Sequence, residues 1–461
     1  MSAAPPTDVR RSVPAGLPQT ASLPRQVALL AVWPFLEQLL MFLVGFVDTA
    51  LAGRLSVEAT SAVGVAAYVL WLMGLLNGAL GVGAGALLGR AVGAGRWRRA
   101  RQILGQALLL SLLWGTLIGA LFLIGAPAIA AFSGLQGEAE SLCVAYLRIL
   151  ALVAPFSAIL STASACLRAS GNTRAPFLVM VLVNGVNIAA TVTLVSAAPP
   201  LGGRGVQGIA MGTALAWLTG CVVILLLLRM NGSPLQLLAK FLPPRGVVLA
   251  RIFSVAGPNV LENVGHWSGN FIVIALIGRL PDTASIAAHT VAVRIEAISY
   301  LPGLAMGVAA ATLCSQYLGA GQPDMARRAV RWCWFFGVVI MTVMGALFIA
   351  IPEVFVRLTT NQPRLLESAP MLLFITGFIQ APFASYLVLS QALRGAGDTR
   401  WPMFLTYFST YCVRVPLAYV IGLKLGYGIA GVWIALSTEL TVRGILFMLR
   451  FQFGKWERTR V

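Results

Sequence analysis

Ten ionisable side chains stand inside apolar stretches of this chain: Glu37, Asp48, Arg148, Glu262, His266, Arg294, Glu296, Arg414, Glu439 and Arg443. A charge in an apolar medium is costly. Such groups pair with one another, face a watery cavity, or carry an ion or a proton. Asp48 has the clearest chemistry. It sits in Leu43-Val44-Gly45-Phe46-Val47-Asp48-Thr49-Ala50-Leu51, with no cation close in sequence. An aspartate desolvated in a helix bundle can take up and release a proton near neutrality. A second reading stays open. Asp48 precedes Gly53 by five residues, about 7 Å of helix rise, so its carboxylate could reach the outer interface.

The other groups read as follows. Glu439 and Arg443 form an i,i+4 helix pair, and Arg148, Arg414 and Arg443 snorkel or pair. Arg294 and Glu296 are two apart, so they do not face each other, and each needs a partner from another helix. Glu37 and Glu262 lie beside Pro34 and Pro258, the expected helix kinks. Their duplication favours a structural role over ion coupling, such as meeting backbone groups that the prolines free. Asn184, Asn187 and Thr191 fall at i, i+3 and i+7, on one helix face. With Thr213 they form a polar set that either glues helices together or lines a cavity.

The elements that must position these groups are membrane helices. Hydrophobic residues make up 58% of the chain and charged residues only 10%, with mean hydropathy +0.86. Soluble domains carry roughly 25% charged residues. Twelve apolar stretches are long enough to span a bilayer, from 27–51 to 206–228 and from 252–278 to 428–449. They fall into two copies of one unit. Leu167-Arg168-Ala169-Ser170-Gly171-Asn172-Thr173-Arg174 returns as Leu393-Arg394-Gly395-Ala396-Gly397-Asp398-Thr399-Arg400, 226 positions later (394 − 168). Gly93-Ala94-Gly95 returns as Gly319-Ala320-Gly321 at the same offset. Six spans per copy return each copy to its starting side, so the repeats are parallel. Repeats of this kind point to a transporter with its site between the copies. At the Asp48 position the second copy has Val273, so packing of the repeat does not require an acid there.

The expected fold is thus an all-α membrane protein of twelve transmembrane helices in two six-helix lobes. Expected boundaries are an unstructured cytoplasmic tail over 1–24, an N-terminal lobe over 25–228, and a cytoplasmic linker over 229–251. A C-terminal lobe over 252–450 and a basic tail over 451–461 follow. Arg96, Arg98, Arg99, Arg101, Arg168, Arg174, Arg327, Arg328, Arg331, Arg394 and Arg400 crowd one set of loops. Only Arg54, Arg204, Arg279, Arg357, Arg364 and Lys424 lie on the other. This bias places both termini in the cytoplasm. It also accounts for the net charge of +18 without nucleic acid, because the basic residues are spread as insertion signals. The six cysteines lie singly in apolar segments and read as packing residues. No HExxH, Walker or GxSxG motif is present, which counts against an intramembrane hydrolase or an ATP-driven pump.

Three groups of residues resemble a known family. Val44-Gly45-Phe46-Val47-Asp48-Thr49-Ala50-Leu51-Ala52-Gly53-Arg54-Leu55 is similar to the first-helix signature of the multidrug and toxic compound extrusion (MATE) family. Leu393 to Arg400 is similar to its duplicated loop motif, and Ala288-His289 through Glu296 to Gly321 resembles its eighth helix and following loop. The resemblance covers about residues 25–450. It implies a large central cavity between the lobes and exchange of H⁺ or Na⁺ for lipophilic, often cationic, drugs. Asp48 matches the family's N-lobe acid, and Asn187 and Thr213 match its polar network. Two departures stand out. Thr191 occupies a position where members often have aspartate. His266 and Phe383 stand where the branch using Na⁺ in the C-terminal lobe has acids, which points to the DinF-like branch.

The expected function is a multidrug efflux antiporter of the plasma or inner membrane. It is not an enzyme, and it has no cofactor beyond the transported H⁺ or Na⁺ and no metal site. Its expected partners are small-molecule substrates and the bilayer, its expected state a monomer. Asp48 is the expected coupling residue. Asn184, Asn187, Thr191, Thr213 and Glu37 form the N-lobe network, and Glu262, His266, Arg294 and Glu296 are the C-lobe candidates. The competing reading is a flippase for lipid-linked precursors, with Arg148, Arg294 and Arg414 supplying a basic cavity for pyrophosphate. An inert membrane scaffold is disfavoured by polar residues shared between the copies.

Overall fold

The computed structural model describes residues 13–20, 22–53, 55–196, 203–230, 234–282 and 285–459, and the side chains of 43–50 lie outside the described set. The described chain is helical apart from short connections. In order come α1 Leu23–Gly53, α2 Val57–Gly93, α3 Trp97–Phe132, α4 Gly137–Ala169, α5 Arg174–Ser196 and α6 Gly205–Arg229. Then follow α7 Gly246–Ile277, α8 Ser285–Gly319, α9 Pro323–Ala350, short α10 Pro352–Arg357, α11 Pro363–Gly377 and α12 Gln380–Gly395. The span Arg400–Lys424 contains α13 Arg400–Tyr407, α14 Val415–Leu417 and two π-helical stretches, Phe408–Arg414 and Ala418–Lys424. The last helix is α15 Gly428–Phe453.

Ten of these segments are long and apolar enough to cross a membrane, and α11 with α12, bent by 63°, form an eleventh. With α1, 31 residues long, the twelve expected spans are present, six in each copy.

The repeat extends to individual contacts. A Cβ on Gly81 of α2 would sit 2.8 Å from the Ala165 Cβ on α4. A Cβ on Gly307 of α8, 226 residues later, would sit 2.9 Å from Gln391 Cγ on α12, the counterpart of Ala165. Gly119 and Gly345 repeat the device, closing on the carbonyl oxygens of Ala151 and Gly377. Lipid tails are as apolar as leucine, so small residues that admit close approach do the packing. The duplicated loop is a helix C-cap in both copies. Gly171 (φ 93°) and Gly397 (φ 84°) take the left-handed conformation. The next amides, Asn172 and Asp398, bond back to Leu167 and Leu393 carbonyls at 3.0 and 2.9 Å.

The chain folds into two compact units whose division differs from the lobe boundaries read from the repeat. The N-terminal unit is Leu36–Val260, and the C-terminal unit joins the residues up to Phe35 to those from Leu261 onward. Helices α1 and α7 are therefore each shared between units, and both change unit within three residues of their prolines, Pro34 and Pro258. The first part of α1 packs in the C-terminal unit, where Val27 and Ala31 join Ala309 and Ala310 in one core. The first part of α7 does the reciprocal thing in the N-terminal unit. There Gly83 of α2 admits the Ile252 carbonyl so closely that a Cβ would lie 2.7 Å from it.

Part of the tail expected to be unstructured is in fact packed, and the linker and the basic tail are anchored too. Residues 1–12 lie outside the described residues, but Pro14 and Leu17 are buried, Leu17 in the core of the C-terminal unit. Gln26 donates to Thr20 O at 2.7 Å and accepts from Tyr317 at 2.9 Å. In the expected basic tail, Trp456 is buried, stacks on Phe451 at 5.2 Å and donates to its carbonyl at 2.8 Å. In the expected linker, fully buried Gln106 of α3 donates to Phe241 O (2.7 Å) and Pro243 O (2.8 Å) and accepts from Arg245 N (2.7 Å). These apolar anchors and backbone bonds outweigh the proline content that suggested free chain.

Candidate functional site

Each unit carries its own polar interior. In the C-terminal unit the centre is Glu439, fully buried on α15. Its Oε2 accepts from Arg414 at 2.6 and 3.0 Å, and its Oε1 lies 2.6 Å from Arg443 Nε. The expected i,i+4 pair Glu439–Arg443 is thus formed, and Arg414 joins it from another helix. Arg443 also donates to Ser409 Oγ (2.9 Å) and Thr410 Oγ1 (2.8 Å), and its guanidinium lies over the Tyr386 ring at 4.8 Å. Arg414 reaches Asn270 Oδ1, and Asn270 Nδ2 lies 3.2 Å from His266 Nε2.

The π-helical stretch explains how one segment serves both arginines. Ser409 and Arg414 are five apart, about 140° apart around an α-helix. In the i→i+5 winding of a π-helix they come to one side. Pro416, which lacks the amide that would bond back four residues, is the sequence signal for this distortion; the periodicity of the apolar stretch hides it. Two guanidiniums share one carboxylate here, and hydroxyls, an amide and a ring face take up the remaining donors.

The two positions where the resemblance looked for C-lobe acids flank this cluster. His266 has its Nδ1 3.5 Å from Arg443 Nη1. Phe383 is buried between Tyr300 (5.9 Å) and Tyr386 (6.4 Å), the ring that lies under Arg443. Glu296 takes the partner it needs from another helix, a 2.7 Å bond from Thr376 on α11. Arg294 is exposed and makes no ion pair among the described residues.

In the N-terminal unit, Asn184, Asn187 and Thr191 line one buried face of α5, and Thr213 meets them from α6. Asn187 Nδ2 donates to Thr213 Oγ1 at 3.0 Å, and Thr213 donates to Ile209 O at 3.2 Å. Among the described residues, three buried atoms on this face have no hydrogen-bond partner: Asn184 Nδ2, Asn187 Oδ1 and Thr191 Oγ1. Asp48 belongs to this unit by its place in the chain, but its side chain lies outside the described residues. Arg148, also in this unit, is exposed.

Glu37 and Glu262 meet partners other than the backbone groups suggested for them. Instead of backbone groups freed by the prolines, they take the arginines of the duplicated loop. Arg168 Nη1 donates to Glu37 at 2.9 and 3.1 Å in one unit. Arg394 Nη2 donates to Glu262 at 2.7 Å in the other, where Thr406 adds a 2.8 Å bond. The pairing joins two motifs that sequence reading treated separately. Their shared offset (225 for the acids, 226 for the arginines) was the available signal.

The MatE family model matches residues 35–193 and 258–420. The chain belongs to the MatE family. The two matched segments begin where α1 and α7 change unit. The chain is 30% identical over 455 residues to the "Probable multidrug resistance protein NorM" of Xanthomonas campestris pv. campestris, covering 96% of this chain and 97% of that protein. It is 28% identical over 425 residues to the protein of the same description from Thermotoga maritima, covering 92% and 91%. Among solved structures, it matches a multidrug resistance MATE family transporter in an outward-facing conformation with TM-score 0.88 and 21% identity, covering 94% of this chain and 97% of that one. That likeness is one of fold. MatE proteins are multi-pass membrane transporters, and this chain has the twelve-helix architecture to match.

Proposed function

We propose that this MatE protein is a secondary active multidrug exporter of the plasma or inner membrane. It moves lipophilic or cationic small molecules outward in exchange for protons, by alternating access of its two lobes, with both termini in the cytoplasm. The carrying observation is the contrast between the two polar interiors. The Glu439 carboxylate is already ion-paired to Arg414 and Arg443. The α5 face is open, with three buried polar atoms unfilled among the described residues. An unfilled polar valence in a membrane interior costs free energy, and holding one open suits a site whose occupant comes and goes. Asn187 Oδ1 and Thr191 Oγ1 are acceptors for a cation or a water, and Asn184 Nδ2 is a donor for a carboxylate or a water.

Asp48 is the proton carrier in this reading. A C-lobe Na⁺ site is disfavoured because His266 and Phe383 replace the acids and two guanidiniums stand beside them. This fits the DinF-like branch, and Na⁺ remains the alternative coupling ion. The flippase reading finds little support: Arg414 is neutralised by Glu439, while Arg148 and Arg294 are exposed.

The test is drug accumulation in cells with and without the protein, followed by uptake into inverted vesicles. Export that lowers accumulation, collapses with a protonophore and persists without Na⁺ is the expected result. Unchanged accumulation across a panel of lipophilic cations would defeat the exporter reading, and strict Na⁺ dependence would defeat the coupling assignment.

A further inference from the structure

The N-terminal unit carries a basic pocket that neither the transport reading nor the repeat accounts for. Arg96, Trp97, Arg98 and Arg99 at the α2–α3 turn, with Gln102 and Arg245, line a cavity of about 640 Å³. All four arginines are exposed, and none makes an ion pair among the described residues. The pocket is assembled rather than incidental. Its far wall is the 234–245 segment, pinned to α3 by the three Gln106 bonds and by Arg101 Nε, which donates to Pro234 O at 3.0 Å. Phe241, the other wall residue, is buried and lies under Lys240 Nζ at 5.4 Å.

The bland explanation is that loop arginines only direct membrane insertion. The second copy argues against it. The turn there has the same backbone: Gly95 and Gly321 both have φ 70°. The following amide bonds back five residues in both, Arg96 N to Ala91 O at 2.8 Å and Gln322 N to Tyr317 O at 2.9 Å. Yet where the first copy has Arg96-Trp97-Arg98-Arg99, the second has Gln322-Pro323-Asp324-Met325, and where it has Gln106 the second has Trp332. The second copy carries its arginines further on, at Arg327, Arg328 and Arg331, so neither the fold of the turn nor the loop's side of the membrane requires arginines at the turn itself, a tryptophan and a pinned wall. These are additions to one copy.

Four guanidiniums that line one pocket beside an indole, without an ion pair among the described residues, suit a phosphate at the membrane surface. Arginine binds phosphate oxygens bidentately, and tryptophan settles at headgroup level. We infer that this pocket binds the headgroup phosphate of an anionic phospholipid. Anionic lipids are concentrated in the cytoplasmic leaflet, which is the side where the charge bias places this turn.

The test uses the full chain purified in a zwitterionic detergent. Palmitoyl-oleoyl phosphatidylglycerol, phosphatidylcholine with the same tails, or inorganic phosphate is added, and retained adducts are counted by native mass spectrometry. The wild type is expected to retain phosphatidylglycerol over phosphatidylcholine. A triple variant, Arg96→Gln, Arg98→Gln, Arg99→Gln, should lose that retention by at least about tenfold, given the attraction of each basic residue for an anionic surface. A charge-matched control, Arg328→Gln, Arg331→Gln, Arg400→Gln, should keep it. Both variants are to elute as the wild type does in size-exclusion chromatography; should the first triple misfold, single substitutions at Arg98 and Arg99 replace it, each expected to weaken retention. Undiminished phosphatidylglycerol retention in the folded variants, or an equal loss in the control, would overturn the site. Displacement of the lipid by millimolar inorganic phosphate would reassign it to a soluble anion.

Discussion

Arg394 holds Glu262 across 2.7 Å, one turn past Pro258 and at the point where α7 enters the C-terminal unit. Arg168 holds Glu37 across 2.9 Å at the matching point of α1. Each pair fastens the second part of a shared helix to the unit it joins. The Glu262 pair is the drier of the two, with side-chain exposures of 2% and 10% against 12% and 20%.

Removing one member of a buried pair strands the other charge, at a cost of about 3–5 kcal/mol, whereas removing both costs much less. Glu262→Gln should therefore lower the thermal midpoint of the purified protein. Arg394→Gln added to it should restore most of the loss. Glu37→Gln should be milder, because water reaches its partner. A double variant that unfolds as early as Glu262→Gln alone would show that the pair does not act as a unit.

What was legible in the sequence follows from which forces act locally. The twelve spans were readable because bilayer thickness fixes their length and composition. The sharing of α1 and α7 between units was not readable. Pro34 and Pro258 mark where a helix can bend, but which core each half joins depends on partners such as Ala309 or Gly83, far away in the chain. The Arg414–Glu439–Arg443 cluster was half legible. The i,i+4 pair is local, but Arg414 arrives only through the π-helical stretch near Pro416. The folded state of 13–20 was missed because proline content outvoted a few apolar anchors.

The α5 face distinguishes glue from site. If Asn187 were there to hold helices together, replacing it with leucine would destabilise the protein. If it lines a site held open for an ion or water, leucine removes an unfilled acceptor from the interior. Among the described residues only the 3.0 Å bond to Thr213 is then lost, and a single hydrogen bond contributes about 1 kcal/mol net. We expect Asn187→Leu to keep its thermal midpoint within a few degrees of wild type and to lose proton-coupled export. A large drop in midpoint with transport retained would make this face structural.

The orientation rests on loop charge. Cysteines placed singly in the 234–245 segment, in a background with the native cysteines replaced, should resist an impermeant thiol reagent added outside intact cells. They should react after permeabilisation. Ready labelling from outside would invert the topology and put the basic pocket on the opposite leaflet.

In the proposed reading the coupling step turns on Asp48. Its counterpart in the second copy is Val273, buried in the core of the C-terminal unit, so the two lobes cannot share the step equally. In the proposed cycle Asp48 is ionised while substrate is held. A proton from outside neutralises it, which weakens the hold on a cationic ligand and favours the neutral carboxylic acid in a drier site. Helix α1 then shifts, substrate leaves, the lobes return to face inward, and the proton departs to the cytoplasm. A ligand or proton can drive such a cycle only through unequal affinity for the two states. Asp48→Asn mimics the protonated acid without being able to release a proton. It should insert normally, reach wild-type abundance in the membrane, and lose proton-coupled export. Counterflow exchange of substrate, which needs no net proton movement, should be less affected than uphill export. Wild-type export by the Asp48→Asn protein at equal abundance would remove Asp48 from the mechanism and turn attention to Glu296, whose bond to Thr376 leaves it as the remaining interior acid not held by an arginine among the described residues.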